Sequence, residues 1–198
     1  KGKGVNSNWD LGYVTVLIAW ICGGKNAWNN FQSVLDYAKG LSENIIEEYD
    51  KLALVCSEST GFDYDWLKRN ELMWRTMRDI FQQWFLGDKL FEERFGYVPV
   101  NKGKNGLIYS EEPIIDKSRL IDMLRLLSRN KRVCTGTGRP YIEMMPPLTN
   151  WNIKQYFSDD GLCNYDHVVE AEKELGNNAL TKPHPYMFLK ALYGTDYD

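Results

Sequence analysis

The stretch KRVCTGTGRPY, Lys131 to Tyr141, constrains this chain more than any other. Val133 and Cys134 form a short apolar run of strand type that breaks into Thr135-Gly136-Thr137-Gly138. Arg139-Pro140 follow, and proline suits the first turn of a helix because it has no N–H to leave unpaired there. Strand end, hydroxyl, glycine and helix start is the order found where open α/β sheets hold ligands, beyond the carboxyl ends of their strands. A helix start at such an edge offers N–H groups to an anion, with Thr137 beside them. An ordinary strand-to-helix turn of small residues has the same local sequence.

The residues after Asp116 read as helix, strand, helix, strand, helix. Leu120, Met123, Leu124 and Leu127 recur at helical spacing ahead of the Val133 strand. Pro140 opens a second helix, which Pro146-Pro147 are expected to interrupt. Tyr156-Phe157 and Leu162-Cys163 bracket an expected strand with an acidic turn, and Asp166 is placed as the cap of a helix ending at Gly176. Pro183 and Pro185 introduce a last helix with Phe188, Leu189 and Leu192. Such alternation predicts an α/β fold with a parallel sheet flanked by helices.

Upstream the pattern is helical throughout. Asn6 to Asp10 is a cluster of capping residues before the apolar run Leu11–Cys22, and Gly23-Gly24 supply the stop. Trp28, Phe31, Leu35 and Ala38 mark a second helix closed by Gly40. Ser42 opens a third, with Ile45, Ile46, Tyr49, Leu52 and Ala53 on one face, before a loop from Cys56 to Phe62. Met73, Met77, Ile80 and Trp84 form a stripe read as core. Gly87 ends that helix, and Asp88 begins a shorter one that stops near Gly96. The segment 98–115, with two prolines and two glycines, is the expected hinge. It divides a helical domain, residues 1–110, from an α/β domain, residues 111–198.

Composition narrows the function classes. A net charge of -3, without a Lys/Arg block, gives no electrostatic case for nucleic acid. Val14–Cys22 is far short of the roughly 20 apolar residues that span a bilayer, so no membrane role is expected. Cys22, Cys56, Cys134 and Cys163 lack the paired spacing of metal ligands, which suits a reduced, cytoplasmic protein.

Two motifs together suggest a family. Thr137-Gly138-Arg139-Pro140 resembles the second motif of haloacid dehalogenase-like phosphatases, and Lys182-Pro183-His184-Pro185, with Phe188, resembles the third. They stand 45 positions apart in the expected order, and the resemblance covers roughly Ile115 to Gly194. It implies part of a Rossmann-like core, with residues 1 to about 110 as an all-helical cap domain. It also implies a magnesium-dependent hydrolase acting on a small phosphorylated metabolite through an aspartyl-phosphate. Thr137 would hydrogen-bond a phosphoryl oxygen beside the Gly138 N–H, and Lys182 would place its ammonium between nucleophile and phosphate. Arg139 would contact an anionic substrate or brace the loop. Asn6, Asn8 and Trp9 would touch the leaving group from the cap, or else cap the first helix and pack its base.

The chain departs from the family at its acids. Asp63-Tyr64-Asp65 follows no apolar strand, Gly87-Asp88 precedes the second motif, and Asp196-Tyr197-Asp198 falls at the last positions of the sequence. None stands where the family's nucleophile or metal acids would, so this stretch alone is expected to be inactive, with its magnesium ligands elsewhere in a longer protein. A non-catalytic binding protein of the same kind, and an unrelated α/β interaction domain, remain the alternatives.

Overall fold

In the computed structural model, which describes residues 5, 7–176 and 179–194, the Ser7 hydroxyl accepts the N–H groups of Trp9 (3.1 Å) and Asp10 (3.3 Å) and starts helix α1, Asn8–Ile21. A 3-10 stretch, Gly24–Asn30, leads into α2, Phe31–Gly40. The third expected helix begins as a 3-10 turn, Ile45–Glu48, and continues as α3, Tyr49–Thr60. The loop expected from Cys56 is therefore helical to Thr60, because Cys56 is buried among Tyr13, Leu17, Leu52 and Ala53. Helix α4, Tyr64–Leu67, takes Asp63 as its cap, with the Trp66 N–H donating at 2.7 Å. Helix α5 follows, Leu72–Phe95.

The chain separates into two units, Lys1–Gln83 and Trp84–Asp198, so the division falls within α5 rather than near residue 110. The first unit is all-helical among its described residues. Its interior is pinned by a charge: the Asp10 carboxylate, 6 % exposed, accepts a two-point fork from Arg69 (2.8 and 2.9 Å) and the Trp74 indole N–H (3.0 Å). The stripe read as core divides. Met73 is buried and Met77 packs against the same cluster, but Ile80 and Trp84 are 43 % and 54 % exposed.

In the second unit Gly87 breaks α5 with φ 76° and ψ 170°, a conformation that costs a side-chain-bearing residue strain. A Cβ on Gly87 would lie 2.7 Å from the Gly106 nitrogen, and one on Gly106 would lie 2.6 Å from the Leu86 carbonyl carbon. Two glycines thus let the backbones cross. The Asp88 carboxylate accepts the N–H groups of Gly103 and Lys104, which hold its pKa below the ordinary carboxylate value. Ile108, inside a 3-10 turn Leu107–Ser110, is fully buried with Leu86, Leu90 and Phe91. The expected hinge is a docked segment, and Ile142 packs against the same cluster.

Helix α6, Lys117–Leu127, is capped by Asp116, and the two-residue strand β1 is Thr135–Gly136. Helix α7, Tyr141–Asn150, continues through Pro146 and Pro147. Burial of Met144, Pro147 and Leu148 outweighs the two backbone donors the prolines lack. Strand β2 is Leu162–Cys163, while Tyr156 ends a 3-10 turn instead of opening a strand. Helix α8 is Tyr165–Leu175 and α9 is Tyr186–Tyr193. Asn164, not Asp166, caps α8.

The expected α/β fold with a Rossmann-like sheet is overturned. The described residues are mostly helical, and their sheet is a parallel pair with Thr135 opposite Leu162 and Gly136 opposite Cys163. Short apolar runs do not by themselves settle a strand: Leu162-Cys163 forms one, Val133-Cys134 stay irregular just ahead of β1, and Tyr156 ends a 3-10 turn. The pair is nevertheless covered on both faces. Leu162 joins Leu124, Met144, Leu148 and Ile153 on one side, and Cys163 joins Val168, Ala171, Leu180, Met187 and Ala191 on the other. No helix among the described residues is long and apolar enough to cross a membrane.

Candidate anion-binding site

At the end of β1 the Thr137 N–H donates to the Cys163 carbonyl at 2.9 Å, extending the parallel ladder by one bond. A Cβ on the preceding Gly136 would lie 2.9 Å from the Met187 carbonyl oxygen. Only glycine lets the start of α9 approach the strand so closely, and that approach delivers the segment carrying Lys182. Its ammonium donates to the Gly136 carbonyl at 3.2 Å and lies over the Phe188 ring, 5.0 Å from the centroid. The two motifs therefore meet at one strand end.

The loop between β1 and α7 is held at every residue that follows Gly136 except Gly138. The Thr137 hydroxyl oxygen accepts the Arg139 N–H at 3.2 Å, which leaves its own proton for donation elsewhere. The Arg139 carbonyl accepts the Tyr165 N–H at 2.9 Å, and the Tyr141 N–H donates to Asp166 at 2.7 Å. Gly138 is exposed, and a Cβ there would meet no heavy atom within 4 Å. Lys182 is also exposed and keeps two further ammonium protons beyond the one given to Gly136. A hydroxyl, an ammonium and an open glycine backbone form a donor set suited to an anion.

Arg139 is engaged elsewhere. Its guanidinium makes a two-point fork with Glu111 (2.7 and 2.8 Å) and lies 5.8 Å from the Phe85 ring centroid. The Glu111 hydrogen bonds push the guanidinium pKa above its ordinary value. Sequence reasoning missed Glu111, because nothing local in Ser110-Glu111-Glu112-Pro113 announces a partner 28 positions on.

The remaining candidates take other places. Asn6 lies outside the described residues, as do Asp196 to Asp198. Asn8 is exposed at the first turn of α1, and the Trp9 ring packs edge-on against Trp74 at 6.0 Å, both within the first unit. His184 accepts the Tyr186 N–H at 3.1 Å, and His167 accepts the Asn164 N–H at 3.2 Å, so each imidazole serves a helix start. A groove of about 430 Å³ in the second unit is lined by Tyr141, Met144, Leu162, Asn164, His167 and Glu170, but not by Thr137 or Lys182.

Magnesium does not fit the residues at the strand end. Mg²⁺ is held by oxygen ligands, usually carboxylates and water, whereas this strand end presents one hydroxyl and a cationic ammonium, and its neighbouring carboxylates, Glu111 and Asp166, are engaged by Arg139 and the Tyr141 N–H. Among the described residues no group of three or more His, Cys, Asp and Glu side chains gathers to hold a metal.

Comparison with family models and with curated proteins finds no match. A crystal structure described only as a Northeast Structural Genomics Consortium target is similar over 97 % of this chain, with a TM-score of 0.81 at 24 % identity. This chain spans 59 % of the length of that one. The likeness is one of fold.

Proposed function

We propose that the loop after β1 binds a phosphoryl group through Thr137, Gly138 and Lys182, and that the intact protein is a hydrolase of the haloacid dehalogenase-like kind acting on a small phosphorylated metabolite, its magnesium held by acids other than the residues of this strand end. The observation that carries this reading is the 3.2 Å contact from the Lys182 ammonium to the Gly136 carbonyl, which brings the two separated motifs to one strand end. Thr137 and the Gly138 N–H donate to nonbridging oxygens, while Lys182 neutralises charge as an anionic nucleophile approaches an anionic phosphate. A carboxylate from outside this chain attacks phosphorus, and the ester P–O bond breaks. The leaving oxygen takes a proton from a second such acid, and water then releases phosphate from the acyl-phosphate. Alone, these residues bind without turnover. A reducing, cytoplasmic setting suits the four free thiols.

The test is a titration of the isotopically labelled chain with inorganic phosphate, followed by amide NMR. Phosphate is expected to shift the Thr137 and Gly138 amides, and Lys182→Met is expected to weaken binding by roughly tenfold or more, as loss of a charge-assisted contact does. Unmoved amides, or wild-type affinity in Lys182→Met, would overturn the reading.

A further inference from the structure

We infer that Glu111 is the positioning residue of this anion loop, acting through Arg139, and that Arg139 braces the loop instead of touching the anion. The inference rests on the phosphoryl-binding reading above and assigns a role to two side chains that reading leaves unused. Arg139 is tied at each of its polar parts. Its N–H donates to the Thr137 hydroxyl oxygen, its carbonyl accepts from Tyr165, and its guanidinium forks onto Glu111. Glu111 is anchored in turn, since its own carbonyl accepts the Trp151 indole N–H at 2.8 Å, just beyond the end of α7.

The path from Glu111 to the Thr137 hydroxyl is therefore one residue long, with fork bonds of 2.7 and 2.8 Å at one end and a bond of 3.2 Å at the other. The Glu111 side chain is 23 % exposed and that of Arg139 40 %, so the fork is partly shielded from water and salt. A fork of two parallel N–H···O bonds also fixes the guanidinium plane, which a single ammonium contact would not. With Arg139 neutralised by Glu111, the exposed Lys182 ammonium supplies positive charge to the ligand's side of the strand end. Gly138, the neighbour of Arg139, has no side chain to hold it, so the brace sets the direction in which its N–H points.

The experiment measures phosphate affinity and amide shifts for the chain carrying Glu111→Gln, Glu111→Ala, Arg139→Lys, or the exchanged pair Glu111→Arg with Arg139→Glu, each with its thermal midpoint. Glu111→Gln and Arg139→Lys are expected to weaken phosphate binding roughly three- to tenfold, the scale of one or two lost hydrogen bonds. Their ligand-free shift changes should be confined to residues around Thr137 to Arg139, and the exchanged pair should recover part of the loss. If Arg139 bound the anion itself, Glu111→Ala would release it and tighten phosphate binding, which would overturn the inference. So would lowered thermal midpoints with unchanged affinity. A wild-type chain that binds no phosphate refutes the underlying reading, whereas a wild type that binds beside indifferent Glu111 variants refutes this inference alone.

Discussion

The ammonium of Lys182 rests between the Gly136 carbonyl, 3.2 Å away, and the face of the Phe188 ring, 5.0 Å from its centroid. A lysine so held is aimed before any ligand arrives, and less side-chain entropy is lost on binding. Phe188→Leu removes the aromatic face and keeps the bulk. It should weaken phosphate binding by roughly two- to fivefold, the scale of an exposed cation–π contact, and less than Lys182→Met does. The measurement is the same NMR titration, and equal losses in the two variants would show that Phe188 acts by something other than aiming Lys182.

Gly106→Ala tests the docking of the segment that was expected to be a hinge. Gly106 has φ 88°, and an added Cβ would press on the carbonyl of Leu86, which is backbone and cannot step aside. The substitution should destabilise the chain by about 2 kcal/mol or more, strain and overlap adding together. Urea unfolding measures it, and a loss below the error of that measurement would mean that the two backbones separate without cost.

In the first unit, Asp10→Ala leaves Arg69 and the Trp74 indole N–H without their shared acceptor. Arg69 is 40 % exposed and can turn to water, so the expected loss is about 2 kcal/mol, below the range for a fully buried pair. Chemical denaturation of Asp10→Ala, Arg69→Met and the double variant closes a cycle. Additive losses would show that the pair has no coupling.

Burial pushes the Cys163 thiol up to about 11 from an ordinary 9.0. The neutral thiol is favoured in the folded chain, so its contribution to stability is complete below pH 9 and is lost as pH rises from about 9 to about 11. Unfolding midpoints measured across that window should fall, and Cys163→Ala should remove part of the slope. At neutral pH a thiol reagent should modify the half-buried Cys22 and Cys134 first, and reach Cys56 and Cys163 only on unfolding.

Local signals were legible wherever one residue decides its own conformation. Ser7 as a cap, Gly40 and Gly176 as helix ends, Gly87 as the break in α5 and Pro140 as a helix start all follow from backbone chemistry that a short window contains. The turn at Thr137-Gly138 was legible for the same reason. What failed was whatever depends on competition between packing partners. Pro146 and Pro147 stay helical because neighbours bury α7, and Tyr156-Phe157 gives no strand because β1 pairs with Leu162 and Cys163 among the described residues.

The sequence alone determined the helices of the first unit, though not where that unit ends, together with the glycine and proline punctuation and the two motifs at Thr137 and Lys182. Tertiary structure alone decided that the sheet among the described residues is a pair of short strands, that the segment around Gly106 is docked, and that Arg139 belongs to Glu111. The reason is distance along the chain: a cap or a turn is settled by neighbours within a few positions, whereas Glu111 with Arg139, Asp10 with Arg69 and Lys182 with Gly136 are contacts over 28, 59 and 46 positions. Such contacts are chosen by the packing of whole helices, and no short window contains it.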